Sequence, residues 1–275
     1  MTFQPVVPFG GYSGWKFLSR TVAPQQAAYD KTPVIQRDTE YFKANIGKIT
    51  TAQALVDDRR LLKVALGAYG LDSDIDSKFF IRKVLQDGTL TDGALANRLA
   101  DKRYLEMSKA FGFGDFTVPS TKLSDFGTKV TDLYKRRQFE IDVGNTDNNL
   151  RLALGLERDL GAVAAKTSSD TTKWFTILGN PALRKVFQTA LGLPTSFAAV
   201  DLDKQLKTVK DRAEKVFGDD TVDQFKDPER IEALVRKFLL RADLQGSSDQ
   251  SLKGAAALSM LQSSQSQYRS LLSGR

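Results

Sequence analysis

The chain has 275 residues, 41% hydrophobic and 27% charged, with a net charge of +7 from 40 Lys and Arg against 33 Asp and Glu. It contains no cysteine and no histidine, which excludes disulfides, thiolate nucleophiles, metal centres built on either residue, and the commonest general base. The basic excess is spread thinly, and its densest run, Lys135-Arg136-Arg137, has Glu140 within a turn, so it reads as a solvated helix face and gives nucleic-acid binding no support.

Residues 1–24 carry Pro5, Pro8, Gly10, Gly11, Gly14 and Pro24, which suits an irregular arm better than a helix. The run lacks the basic and apolar regions of a conventional secretory signal. No window of the chain approaches the roughly 18 apolar residues of a membrane span, so membrane insertion is not expected. Phe3, Phe9, Tyr12, Trp15 and Phe17 are too many rings for a solvated tail. The arm either packs over the body, the favoured reading, or docks on a partner through Phe9, Tyr12 and Trp15.

From Thr32-Pro33 a helix is expected to Ile46 or Gly47. Thr50 with Gln53 makes a capping-box pattern leading toward Leu55. The stretch Asp58–Leu71, DRRLLKVALGAYGL, then sets Leu61, Val64, Ala65, Ala68 and Tyr69 on one helical face. Asp58 is a good N-cap, and Gly70 can close the helix in the left-handed conformation. The same plan returns at Asn180–Leu193, NPALRKVFQTALGL, with Leu183, Val186, Phe187, Ala190 and Leu191 on the face and Pro181 in the first turn. The polar positions are caps or solvated lysines such as Lys63 and Lys185.

Asp72-Ser73-Asp74-Ile75-Asp76 resembles the start of a calcium loop, but Ser77 stands where the turn glycine belongs and Lys83 where the bidentate glutamate belongs. The aspartates are expected instead to cap a helix carrying Phe79, Phe80, Val84 and Leu85 to the Asp87-Gly88 turn. A third helix runs through Tyr104, Met107 and Phe111 to Gly112, and Gly114–Ser120 is the junction between halves. Leu123, Phe126, Val130, Leu133 and Ile141 mark a long helix. The next shows Ala153, Leu156, Leu160 and Val163, and Gly144 makes the pair either a hairpin or a kinked rod. After the second copy come helices marked by Leu202, Leu206, Val209, Ala213 and Val216, then by Ile231, Leu234, Val235, Phe238 and Leu239, the last opened by Asp227-Pro228-Glu229. From Gln245 the composition turns to Ser, Gln, Ala and Leu, with Leu258, Leu261, Tyr268 and Leu272 keeping an a/d spacing around Gln265. That stretch is a frayed tail or a partner-binding helix.

The chain therefore reads as all-α, two related three-helix-based bundles from an internal duplication. The expected divisions are an aromatic arm at 1–24, bundles at 25–114 and 115–245, and a tail at 246–275. No catalytic, cofactor or metal residues stand out: the acid pairs Asp57-Asp58, Asp219-Asp220 and Glu229 with Glu232 are explained by capping and solvation, and no phosphate-loop, dinucleotide or GxSxG motif is present. The candidate docking residues are Phe9, Tyr12, Trp15, Leu258, Leu261, Tyr268 and Leu272.

Several stretches carry a resemblance to a known family: Gly14–Leu18 (GWKFL), Val34–Phe42 (VIQRDTEYF), the DRRLLKVALGAYGL helix, Asn149–Leu156 (NLRLALGL) and Leu191–Leu206 (LGLPTSFAAVDLDKQL). They are similar to the bacterial domain-of-unknown-function 1217 family, over nearly the whole chain up to about Arg241. The resemblance implies a multihelical fold, alphaproteobacterial origin and an association with flagellar genes, and it brings no activity and no functional residues. The expectation is a non-enzymatic interaction or assembly protein whose partners are other flagellar proteins, cytoplasmic or flagellum-associated. The alternatives are an exported rod- or axial-associated subunit and, last, an enzyme.

Overall fold

Two backbone breaks of the same shape set up the architecture. At Asp58 (φ −91°, ψ 98°) the side chain accepts from the amides of Arg60 and Leu61, and at Asn180 (φ −98°, ψ 114°) it accepts from those of Ala182 and Leu183. Each cap satisfies two of the orphan donors of the following helix while turning the chain away from the preceding one. The two helices also close alike. Gly70 (φ 70°) and Gly192 (φ 66°) are left-handed, and the next leucine amide reaches back five positions, Leu71 to Leu66 at 2.9 Å and Leu193 to Gln188 at 2.8 Å.

The computed structural model describes residues 3–246. Its helices in chain order are α1 (Gly11–Tyr29), α2 (Pro33–Asn45), α3 (Ala52–Asp57), α4 (Arg59–Tyr69), α5 (Lys78–Asp87), α6 (Leu95–Arg98), α7 (Arg103–Phe111), α8 (Phe126–Thr146), α9 (Asn148–Ala164), α10 (Asp170–Gly179), α11 (Pro181–Ala190), α12 (Leu202–Phe217) and α13 (228–246), joined by loops and short 3-10 turns. No strand occurs among the described residues. The protein is all-α and multihelical.

Leu61, Val64, Ala65 and Ala68 on α4 and Leu183, Val186, Phe187 and Ala190 on α11 are all buried. Helix α4 lies along α8, α8 turns back on α9, and α9 carries α11. The turn at Asp147 makes α8 and α9 a hairpin: Glu140 faces Arg158, Arg137 faces Asp159, and a Cβ on Gly144 would strike the Arg151 side chain. The buried apolar residues form one continuous cluster from Trp15 to Leu239, so packing does not part at the 114/115 junction.

The structure departs from sequence expectation in several places. Residues 11–24 are helical, not an irregular arm, because α1 buries Trp15 and Leu18 completely; burial of a large side chain, worth about 1.5–3 kcal/mol each, outweighs the poor helix propensity of two glycines and Pro24. Only residues 3–10 stay irregular. They are held down by Gln25, whose side-chain oxygen accepts from the Val6 amide at 2.7 Å and whose NH2 donates to the Val6 carbonyl at 3.2 Å. Phe3 packs edge-on against Tyr29, and Tyr29 against Phe139.

The first capping residue is Thr51, not Thr50, with its hydroxyl accepting from Ala54, while Gln53 turns to Asp57 and Arg82. Asp72, Asp74 and Asp76 do not cap α5. They accept from Gln138, Tyr104 and Arg59 respectively, contacts that tie the loop to α8, α7 and α4. Phe79, Leu123 and Leu202, placed on core faces by their spacing, are exposed: Phe79 and Leu202 stand at helix beginnings, and Leu123 lies in the turn before α8.

Candidate docking site

Two loops in the first half are pinned side by side. The Asp115 carboxylate accepts from the Thr89 amide at 2.5 Å, the Thr89 hydroxyl at 2.8 Å and the Leu90 amide at 3.1 Å. Asn97 donates to the carbonyls of Thr89 and Thr91. Gly114 lies so close to the backbone of Gln86 and Gly88 that no Cβ fits there. On the far side, the Thr121 hydroxyl donates to the Ile49 carbonyl at 2.6 Å and Lys122 to the Gly47 carbonyl at 2.8 Å.

The platform formed by these held loops carries large apolar side chains outward. Leu90 is 71% exposed, Phe116 57% and Val118 66%, and Leu123, further along the chain, is 59% exposed. The Asp115 bond to the Leu90 amide puts Leu90 and Phe116 on neighbouring strands of loop. Single exposed leucines are ordinary, but several large apolar side chains on loops held to each other make a surface suited to another macromolecule. Sequence reading assigned Gly114–Ser120 to a junction and missed this surface, because the pinning carboxylate and the loop it holds are 26 positions apart.

The docking residues expected from the sequence fall elsewhere. Phe9 is exposed. Tyr12 is half-buried and donates its hydroxyl to Glu232 at 2.8 Å, while Trp15 is in the core and donates its indole N–H to the same carboxylate at 2.9 Å. Lys16 completes the set with an ion pair to Glu232 at 2.5 Å. Tyr12 and Trp15 are therefore bonded to α13 of their own chain, Trp15 from within the core. Leu258, Leu261, Tyr268 and Leu272 lie outside the described residues.

A charged seam joins the two halves at the end of α4 and the start of α11. Arg103 donates to the Gly70 carbonyl and pairs with Asp101; Arg137 donates to the Ala68 carbonyl at 3.0 Å and reaches Asp159; Arg158 pairs with Glu140 and Asp159. Cations at these carbonyls favour the C-terminal end of α4. Burial lowers the pKa of Arg137 and raises that of Glu140, the latter opposed by Arg158 and Arg137. A cavity of about 110 Å³ remains between them, lined by arginines and carboxylates in balance. Arg103, Arg137, Arg151 and Arg158 face Asp72, Asp101, Glu140 and Asp159, so the seam reads as an internal lock, not as a charged receptor.

Among the described residues no helix is long and apolar enough to cross a membrane, and no group of three or more Asp and Glu is placed to hold a metal ion.

Comparison with known proteins adds three findings. A family model described as "Protein of unknown function (DUF1217)" matches residues 68–231, so the similar stretches at Gly14–Leu18 and Val34–Phe42 and most of Asp58–Leu71 lie before the matched region. The crystal structure of protein AGR_C_984 from Agrobacterium tumefaciens is similar at 28% sequence identity and a TM-score of 0.72, over 88% of this chain and 99% of that one. No curated protein matches.

Proposed function

The chain belongs to the DUF1217 family, and on that premise we propose that it is a non-enzymatic interaction or assembly protein of the bacterial flagellar system, acting through the platform of Leu90, Phe116 and Val118. The observation that carries the docking role is the exposure of these side chains on loops fixed by Asp115. The flagellar assignment, with its alphaproteobacterial setting and its flagellar partners, rests on the resemblance of the sequence stretches alone. The lack of Cys and His supports the non-enzymatic reading.

Clean deletion is expected to impair swimming or reduce filament number, and complementation with Leu90→Ser/Phe116→Ser is expected to fail although the variant folds. Normal swimming and normal filament number in the deletion strain would remove the flagellar role; full complementation by the double variant would remove the platform. Localisation in the cytoplasm or at the flagellum is proposed with it. Recovery in culture supernatant or purified basal bodies, lost when flagellar export is blocked, would favour the exported-subunit alternative.

The paired breaks and closures of α3–α4 and α10–α11 support a duplication as the origin of the two halves. Equivalent φ and ψ at Asp58 and Asn180, and the same closing bonds at Gly70–Leu71 and Gly192–Leu193, are what such an origin leaves behind.

A further inference from the structure

A groove of about 620 Å³ runs between α1, α8 and α9. Val22, Ala23 and Ala27 of α1, Phe139 of α8 and Leu154 of α9 give it apolar walls and floor. Its charged lining is Asp30, Glu140 and Glu157 against Arg136 and Arg158, an acidic excess of one. Glu140 and Arg158 pair with each other and Lys135 lies 3.9 Å from Asp30, so Asp30 and Glu157 against Arg136 leave the rim acidic by one charge. The Nη2 of Arg158 has no acceptor among the described residues, so the buried floor is not wholly apolar.

The segment following Gly246 has the complementary chemistry. Leu258, Leu261, Tyr268 and Leu272 keep the a/d spacing of one helical face, with Gln265 as its polar position. Lys253, Arg269 and Arg275 stand against Asp249, a net basic segment. Its point of departure also fits. Helix α13 passes the first residue of α1 where Asp243 meets Gly11, and the groove begins 11 residues along α1 at Val22. From Gly11 to Ala27 along α1 is about 24 Å at a rise of 1.5 Å per residue. Residues 247–257 can span about 36 Å when extended, enough to deliver Leu258 to the groove.

We propose that residues 258–272 dock in this groove of their own chain, parallel to α1, with the Leu258, Leu261, Tyr268 and Leu272 face on Val22, Phe139 and Leu154 and with Arg269 toward Asp30. Docking covers the only part of α1 whose small residues Ala23 and Ala27 are exposed above a buried aromatic floor among the described residues of that helix. This surface is separate from the Leu90–Phe116 platform, and its occupancy does not depend on the flagellar reading.

The chain has no native cysteine, so an introduced pair reports proximity without interference. Ala27→Cys is combined in the full chain with Ser264→Cys or Gln265→Cys, at the edge and on the docked face of the segment, and with Ser248→Cys, outside the segment proposed to dock, as the control. Mild oxidation is expected to give an intramolecular disulfide in one of the first two pairs and not in the control. Adding Leu261→Asp and Tyr268→Asp is expected to abolish it. Disulfide formation no greater than the control overturns the proposal, and so does exclusively dimeric cross-linked product, which would place the segment in the groove of a second copy. As an independent readout, hydrogen exchange over residues 22–30 in the full chain is expected to quicken about tenfold in the Leu261→Asp/Tyr268→Asp variant. Unchanged exchange there, with the core protected in both proteins, also overturns it.

Discussion

Trp15 donates its indole N–H to Glu232 at 2.9 Å across 217 positions of sequence. The same carboxylate takes the Tyr12 hydroxyl and the Lys16 ammonium, so three side chains of α1 converge on one acceptor of α13. This contact fixes the first long helix against the last.

Glu232→Ala should therefore cost about 1–3 kcal/mol, since it leaves the buried Trp15 N–H without its partner. Burial works against the Glu232 charge, but bonds from Lys16, Trp15 and Tyr12 outweigh it and hold the carboxyl below the ordinary glutamate range. A depressed carboxyl contributes stability that is present above its unfolded pKa and lost as pH falls through the folded one. Urea midpoints for wild type and Glu232→Gln should thus differ at neutral pH and converge below about pH 4; a gap that widens on acidification contradicts the assignment.

Gly67→Ala offers a test of packing against propensity. Alanine is the better helix former by up to about 1 kcal/mol, yet a Cβ at this position would meet the Tyr134 ring at 2.8 Å, and that ring is buried with its hydroxyl on Asp38. Overpacking of this kind costs about 1–3 kcal/mol. The substitution should lower the denaturation midpoint, and an unchanged or higher midpoint would show that the ring can move aside.

Leu183→Ala removes a buried side chain from the face of α11 and should cost about 2–5 kcal/mol. Chemical denaturation with an unchanged m-value would measure it. A loss under about 0.5 kcal/mol, the level of an ordinary surface substitution, would mean that the face has been misassigned.

The tyrosines give an alkaline signature. Burial raises the Tyr69 pKa to about 12 and those of Tyr29, Tyr104 and Tyr134 further, with Asp142, Asp74 and Asp38 adding to the last three. The folded state keeps these phenols neutral while the unfolded chain ionises near pH 10, so stability should fall as pH rises through about 10. Absorbance at the tyrosinate band should show these four ionising together with loss of helical circular dichroism. Ionisation of all tyrosines near the ordinary value with helicity intact would contradict their burial.

Asp115→Ala should free the platform loops. Removing the acceptor of the Thr89 and Leu90 amides costs about 1–3 kcal/mol if the groups stay dry. The sharper expectation is local: faster amide exchange at Thr89 and Leu90, with α4 and α11 still protected.

Much of this structure was legible in the residues. Asp58, Asn180, Gly70 and Gly192 announced their caps and closures, and the spacing on α4, α9 and α11 named buried faces, because each rests on contacts within about one or two helical turns. The candidate site was not legible. Leu90, Phe116 and Val118 look like any apolar loop residues until Asp115 is seen holding their backbone in place.

The sequence by itself thus determined the all-α class, where most of the long helices begin and end, and the exclusion of thiol and imidazole chemistry. Only the tertiary structure decided that α1 is a helix despite its glycines and Pro24, that Trp15 is spent on Glu232 within the chain, that α8 and α9 fold back on each other, and that Asp72, Asp74 and Asp76 serve distant partners. The reason is range. Capping and periodicity are written in neighbouring residues, whereas burial and ion pairing depend on side chains brought together from tens to hundreds of positions away, where local propensity has no say.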